Sequence, residues 1–209
     1  MLEIAARSVG VSLAATIIAA CFAIAGASWI VYGRSPCRMF LLGVFNVGLG
    51  LPPVAVGLAV AFTFWRSGPL GSLDLLYTPA AMIIAQTIVI SPLIGTLAVL
   101  ALRSADPSLS NQLTALGVSA RARLWLLSRE TAPGLLAATL AGFGRAIAEV
   151  GAAQMTGGNI EGQTRVLTTA TMLDVGKGEF GAALADVTVL LGIVALIAGG
   201  ALVLQMRWR

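Results

Sequence analysis

The sequence predicts an all-α membrane protein of five transmembrane helices, folded as one domain over residues 1–209. Two observations carry this. Hydrophobic residues make up 58% of the chain and charged residues 11%, where soluble domains carry about 25% charged residues. With a mean hydropathy of +0.94, the main solvent is lipid rather than water. The second observation is spacing: a membrane-crossing helix needs roughly 20 mostly apolar residues, and five runs meet that need. They lie at about Ser8–Val31, Met39–Trp65, Tyr77–Leu102, Gly134–Met155 and Ala182–Met206. No internal repeat, low-complexity tract or Ser-rich linker divides them.

The first run follows a single arginine, Arg7. It is longer than the apolar region of a signal peptide, about 7–15 residues, and no convincing A-x-A site follows. It reads as a retained helix. The second run carries Leu51-Pro52-Pro53 near its middle. Two prolines remove two backbone donors, and carbonyls freed at that depth are tolerated only beside protein or a water-lined cavity. A packed kink and a break lining a pathway both satisfy this. The third run has a similar break at Ser91-Pro92, with Gln86 close by as an intramembrane hydrogen-bonding group. Gln86 suits either a bond between helices or a contact with substrate.

Between the third and fourth runs lies a polar, basic loop, 104–132. Asp106-Pro107 is a helix-start signature, and Leu109, Leu113 and Leu116 recur at i, i+4 and i+7 as one apolar face. Gly117 ends that short helix and Ser119 caps the next, which runs toward Leu127. Three leucines in water are unfavourable, each being worth about 1.5–3 kcal/mol when buried. The face therefore packs on the bundle or lipid, or fills a groove in a partner.

The fourth run holds Arg145 roughly midway and Glu149 one turn further on. An arginine at that depth costs about 2.5–3.5 kcal/mol, and the i, i+4 spacing lets Glu149 neutralise it. The pair either locks the bundle or lines a polar passage with positive potential for an anion; both roles can hold together. The loop 156–181 follows, with a short interfacial helix expected from Val166, Thr169, Ala170 and Leu173, and then the fifth run.

Basic residues orient the chain. With the N-terminus outside, the inner segments hold Arg34, Arg38, Arg103, Arg121, Arg123, Arg129, Arg207 and Arg209, and the outer ones Arg7, Arg66, Arg165 and Lys177. Eight against four satisfies the positive-inside bias, giving N-out and C-in. The pI near 9.8 does not point to nucleic acid, because the 13 basic residues lie between apolar runs rather than along a stripe. Histidine is absent and Cys21 and Cys37 lack metal or redox spacing, which excludes histidine catalysis and argues against a zinc site.

The loop resembles the cytoplasmic EAA loop of binding-protein-dependent ABC importer permeases. Asn111, Gln112 and Leu113 stand at its E-A-A positions, so the acidic residue is missing, while Leu116, Gly117 and Ser119 keep its L-G-x-S part. The longer interval from Gly117 to Pro133, with Trp125-Leu126-Leu127-Ser128-Arg129-Glu130, is similar to the tungstate branch. Three further stretches resemble molybdate, tungstate and sulfate permeases: Leu51 to Leu58, Gly142 to Ala152 and Gly157 to Arg165.

That resemblance implies a type I ABC importer permease core in a bacterial or archaeal cytoplasmic membrane, importing tungstate or a close oxyanion by alternating access. Leu109, Leu113, Ala115, Leu116, Gly117 and Ser119 would form the helix that docks on a cytoplasmic ATPase subunit, present in two copies. A second copy of the chain would complete the pathway, with Arg145, Glu149, Pro52, Pro53 and Gln86 along it, and an extracytoplasmic binding protein would deliver the anion. No G-x-x-x-x-G-K-[ST] motif occurs, so ATP hydrolysis falls to the partner and the chain has no catalytic site, cofactor or metal of its own. Molybdate and sulfate remain alternative cargoes. A gradient-driven secondary anion transporter is the alternative from another class, and the lack of an inverted repeat argues against it.

Overall fold

The computed structural model describes residues 1–33, 35–105, 112, 113 and 115–206. Leu109 and Asn111 of the loop lie outside the described residues. The chain begins with α1 (Leu2–Tyr32), 31 residues long, or about 46 Å at 1.5 Å per residue. Then come α2 (Cys37–Gly48) and α3 (Pro53–Phe64), which meet at 109°. After a short 3₁₀ turn at Gly71–Leu73, α4 runs over Pro79–Arg103. The basic loop supplies α5 (Ala120–Glu130) and leads into α6 (Ala132–Ile147). A bend of 59° separates α6 from α7 (Gly151–Gly157). The chain ends with α8 (Leu167–Lys177) and α9 (Phe180–Met206). Among the described residues all regular structure is helical. Among the described residues three helices are long and apolar enough to cross a membrane, or up to five spans if each bent pair is one.

The core is the seam between α1 and α4. Ala15, Ala19, Ala23 and Ala27 repeat every fourth residue along α1, each at most 1% exposed. Small residues at that interval let membrane helices approach closely, and Ile90 and Ile94 of α4 pack with the first three alanines and with Ala146 of α6. The last helix, α9, leans on α8 and touches α6 lightly. Leu184, Leu191, Leu196 and Val203 project from it unburied.

Two expectations about helix continuity need correction. Ser91-Pro92 does not break α4, which is continuous from Pro79 to Arg103. The Ser91 hydroxyl donates to the Thr87 carbonyl at 2.6 Å, and the proline ring is received by Gly48 of α2, where a Cβ would lie 2.7 Å from Pro92 Cβ. The fourth run is the reverse case. No proline marks it, yet it is split between Ile147 and Gly151. The second run breaks at Pro52-Pro53 as expected, and Pro52 is the extended cap of α3.

The two broken runs pack on each other through α3 and α7. A Cβ on Gly57 would stand 2.7 Å from the Ala152 Cα and 3.0 Å from the Met155 Cβ, a backbone-to-helix approach that only glycine permits. Gly57→Ala therefore forces α3 away from α7 and costs about 1–3 kcal/mol. Gly144→Ala meets nothing within 4 Å and leaves stability unchanged or higher, since alanine is the better helix former. Thermal unfolding of the two variants in one detergent checks the contrast; equal melting temperatures would contradict the close approach.

Candidate functional site

The break in the fourth run is built by Glu149. Its carboxylate is 4% exposed and Oε1 accepts a hydrogen bond from the Ala152 N–H at 3.2 Å, capping the start of α7 from within the membrane-spanning segment. The carbonyl of Glu149 accepts from the Thr168 hydroxyl of α8 at 3.1 Å, so the break is tied to a second element. The other carboxylate oxygen, Oε2, lies 3.1 Å from Arg145 Nη1. Arg145 is thus held on one side by a buried acid, while 45% of its side chain stays open. A guanidinium carries five donors, and the pairing with Glu149 is made through Nη1.

Pro52 and Pro53 sit beside this break. Val54, the residue after them, is the side chain that a Cβ on Gly151 would strike first, so α3 and α7 begin next to each other. Ala85 of α4 joins the same cluster through Val56, Val60, Phe64 and Ala152. Gln86 follows it, 2% exposed, and its Oε1 has no hydrogen-bond partner. The inter-helix bond expected of a glue residue is therefore missing at that atom, and a buried amide oxygen left unpaired costs about 1–3 kcal/mol.

The loop residues are arranged differently from a single leucine face. Gly117 has φ +70°, and the Val118 N–H reaches the Leu113 carbonyl at 3.0 Å, the six-to-one bond that closes a helix at a left-handed glycine. Ser119 then caps α5, accepting from the Ala122 N–H at 3.4 Å. Leu113 is 9% exposed and Leu116 is 77% exposed. Leu113 shares a cleft with Leu126, Arg129 and Glu130, so it is covered by α5. Ala115, Leu116, Gly117 and Ser119 remain at the surface. Trp125 is also largely open, with the Arg129 guanidinium 4.9 Å from its ring centre.

Residues outside the expected set hold the loop after α7 in place. Arg7 donates from Nη1 to the Arg165 carbonyl at 3.0 Å and from Nη2 to the Gly162 carbonyl at 2.8 Å. Ser8 Oγ accepts from the Leu167 N–H at 2.8 Å. Buried Thr164 accepts from the Ile160 N–H and donates to the Gly157 carbonyl. The expected short helix here is α8, and this bracing ties its start to α1. Nothing in the periodicity of the sequence singles out Arg7 or Ser8; the only cue is polar residues at the start of an otherwise apolar run.

No family model matches the chain. Individual proteins do. A probable anion ABC transporter permease protein of Haloferax volcanii is 38% identical over 168 residues, covering 78% of this chain and 71% of that protein. The tungstate uptake system permease protein TupB of Peptoclostridium acidaminophilum is 36% identical over 190 residues, covering 91% and 81%. The molybdenum transport system permease protein ModB of Escherichia coli is 28% identical over 201 residues, covering 91% and 88%. Among solved structures, an inward-facing form of the MetNI methionine ABC transporter aligns over 99% of this chain and 97% of its own with TM-score 0.75 at 16% identity. The fold is therefore that of an ABC transporter permease, a multi-pass membrane subunit. The chain belongs to the ABC transporter permeases, and its sequence is more like the tungstate permease than the molybdenum one.

Proposed function

We propose that this chain is the permease subunit of an ATP-driven importer for tungstate or a closely related tetrahedral oxyanion. The observation that carries the reading is Arg145. It stands at a break in a spanning segment, fixed by a buried carboxylate at 3.1 Å and open over nearly half its side chain. An intramembrane arginine marks an ion pathway by default, and a helix break at that depth is tolerated where it borders a cavity. The names of the relatives favour a dianionic metal oxide as the cargo.

In this reading the pathway runs between two copies of the chain, bordered by α3, α4, α6 and α7, with Pro52, Pro53 and Arg145 along it and Glu149 positioning the arginine, while Gln86, 2% exposed, lies inside the chain. The loop 104–132 is cytoplasmic and docks through Ala115, Leu116 and Gly117 on an ATPase subunit, one for each permease copy. The loop 156–181 faces outside, where an oxyanion-binding protein delivers cargo. The eight-to-four distribution of basic residues supports that N-out, C-in orientation in the cytoplasmic membrane of a bacterium or archaeon.

Competition tests the cargo. Uptake of labelled tungstate by cells expressing the whole system falls when unlabelled tungstate or molybdate is added, and is untouched by an equal excess of phosphate. Displacement by phosphate as strong as by tungstate would defeat the assignment.

A further inference from the structure

At the end of α4 opposite the basic loop, the segment from Trp65 to Thr78 joins two membrane-spanning runs, and the transport reading leaves it without a task. It is apolar for a connecting loop: Trp65, Leu70, Leu73 and Tyr77 are all exposed. It is also firmly built. The Leu70 N–H donates to the Thr63 carbonyl at 3.0 Å, and the Tyr77 N–H donates to the Thr156 carbonyl of α7 at 2.9 Å. The segment borders a cavity of about 550 Å³ lined by Phe64, Trp65, Arg66, Asp74, Leu76 and Tyr77, a volume within the usual range for small-molecule sites.

Three features define what fits. The first is depth. Trp and Tyr mark the boundary between hydrocarbon and headgroups, and here they stand just past the end of α3 and just before the start of α4. The second is charge. Arg66 and Asp74 bring one cation and one anion to the same cavity, and neither side chain makes an ion pair or hydrogen bond among the described residues. The third is strain. Of the three non-glycine residues with positive φ among the described residues, Asp74 at +46° and Tyr77 at +62° both line this cavity. Side chains are rarely held in that region, and residues so held cluster at ligand clamps.

We propose that this cavity binds the headgroup of one zwitterionic phospholipid, its phosphate at Arg66 and its ammonium at Asp74. A guanidinium pairs with phosphate oxygens, and an ammonium is drawn both to a carboxylate and to the aromatic faces of Trp65 and Tyr77. Exposed Leu70 and Leu73 offer the acyl chains an apolar border. A lipid that carries a phosphate and no amine satisfies Arg66 but leaves Asp74 facing a like charge, so the site selects for a headgroup with both. Because the Tyr77 N–H is bonded to Thr156, a lipid seated here ties the adjoining ends of α3, α4 and α7 to the bilayer. The inference does not depend on which anion is transported.

Native mass spectrometry of the purified transporter tests it, with equal amounts of phosphatidylethanolamine and phosphatidylglycerol of distinct mass in the detergent. The wild-type complex retains one phosphatidylethanolamine per permease copy in preference to phosphatidylglycerol. Arg66→Gln lowers retention of both about five-fold, the effect of one interfacial arginine. Asp74→Asn keeps the backbone, since asparagine tolerates the left-handed region, and erases the preference between the two lipids. Lys177→Gln, at the end of α8, changes neither. Phosphatidylglycerol retained by the wild type as well as phosphatidylethanolamine, or better, would overturn the proposal. So would a preference that survives Asp74→Asn, or a loss in Lys177→Gln as large as in Arg66→Gln. A photoreactive side chain at Leu73 labels lipid in the intact complex; labelling of a second copy or of another subunit in its place would overturn the proposal as well.

Discussion

Replacing Arg145 with methionine lowers oxyanion uptake about tenfold or more and lowers the melting temperature of the permease, whereas the double variant R145M/E149Q recovers the stability but not the uptake. The asymmetry follows from burial. Glu149 is 4% exposed and Arg145 is 45% exposed, so removing the arginine leaves a buried carboxylate without its counter-charge, a loss of about 1–3 kcal/mol. Glutamine at 149 removes the stranded charge while its amide oxygen still accepts from the Ala152 N–H, which the carboxylate now engages at 3.2 Å. The cap on α7 therefore survives in the double variant. Transport is another matter. A hydrogen bond to a charged group is worth about 1.5–3 kcal/mol, so losing the Arg145 guanidinium at the break lowers uptake by about tenfold or more. Labelled-anion uptake and thermal unfolding on the same preparations check both halves. Uptake restored in the double variant would make the pair a structural lock and end Arg145's assignment to the pathway.

Substituting tryptophan for Gly117 leaves the permease folded and separates ATP hydrolysis from transport. The glycine has φ +70° and nothing within 4 Å of where a Cβ would lie. Among the described residues the only obstacle to a side chain is the left-handed backbone, which costs a non-glycine residue about 1–2 kcal/mol. Any larger effect must come from what the loop touches. A bulky group forced into a packed contact costs about 1–3 kcal/mol, enough to lower anion moved per ATP hydrolysed about tenfold. Gly117→Asn separates the two causes, because asparagine tolerates the left-handed region but stays small. The expected order of coupling is glycine, then asparagine, then tryptophan far below. Full coupling with tryptophan would place this loop away from the ATPase.

Much of the architecture could be read from the residues, and the gaps have physical causes. The apolar runs show the crossings because lipid demands an unbroken apolar length. The Arg145–Glu149 pair follows from its spacing alone. The break beside it does not, because Ala148-Glu149-Val150 has ordinary helical composition; the helix stops there because Glu149 turns to cap α7 and its carbonyl meets Thr168, a contact made nineteen residues away. Pro92 shows the opposite failure. Its break was expected from one residue's chemistry, but the helix continues because Gly48 on another helix has left room for the ring. Periodicity likewise put Leu113 and Leu116 on one face, whereas the chain folds back at Gly117 so that α5 covers the first and leaves the second open.

The source of the driving energy is the most direct test of the account. Proteoliposomes holding the permease with its ATPase, supplied outside with binding protein and labelled tungstate, are expected to accumulate the label only when ATP is on the ATPase side. Accumulation without nucleotide, driven by a proton or sodium gradient, would contradict it.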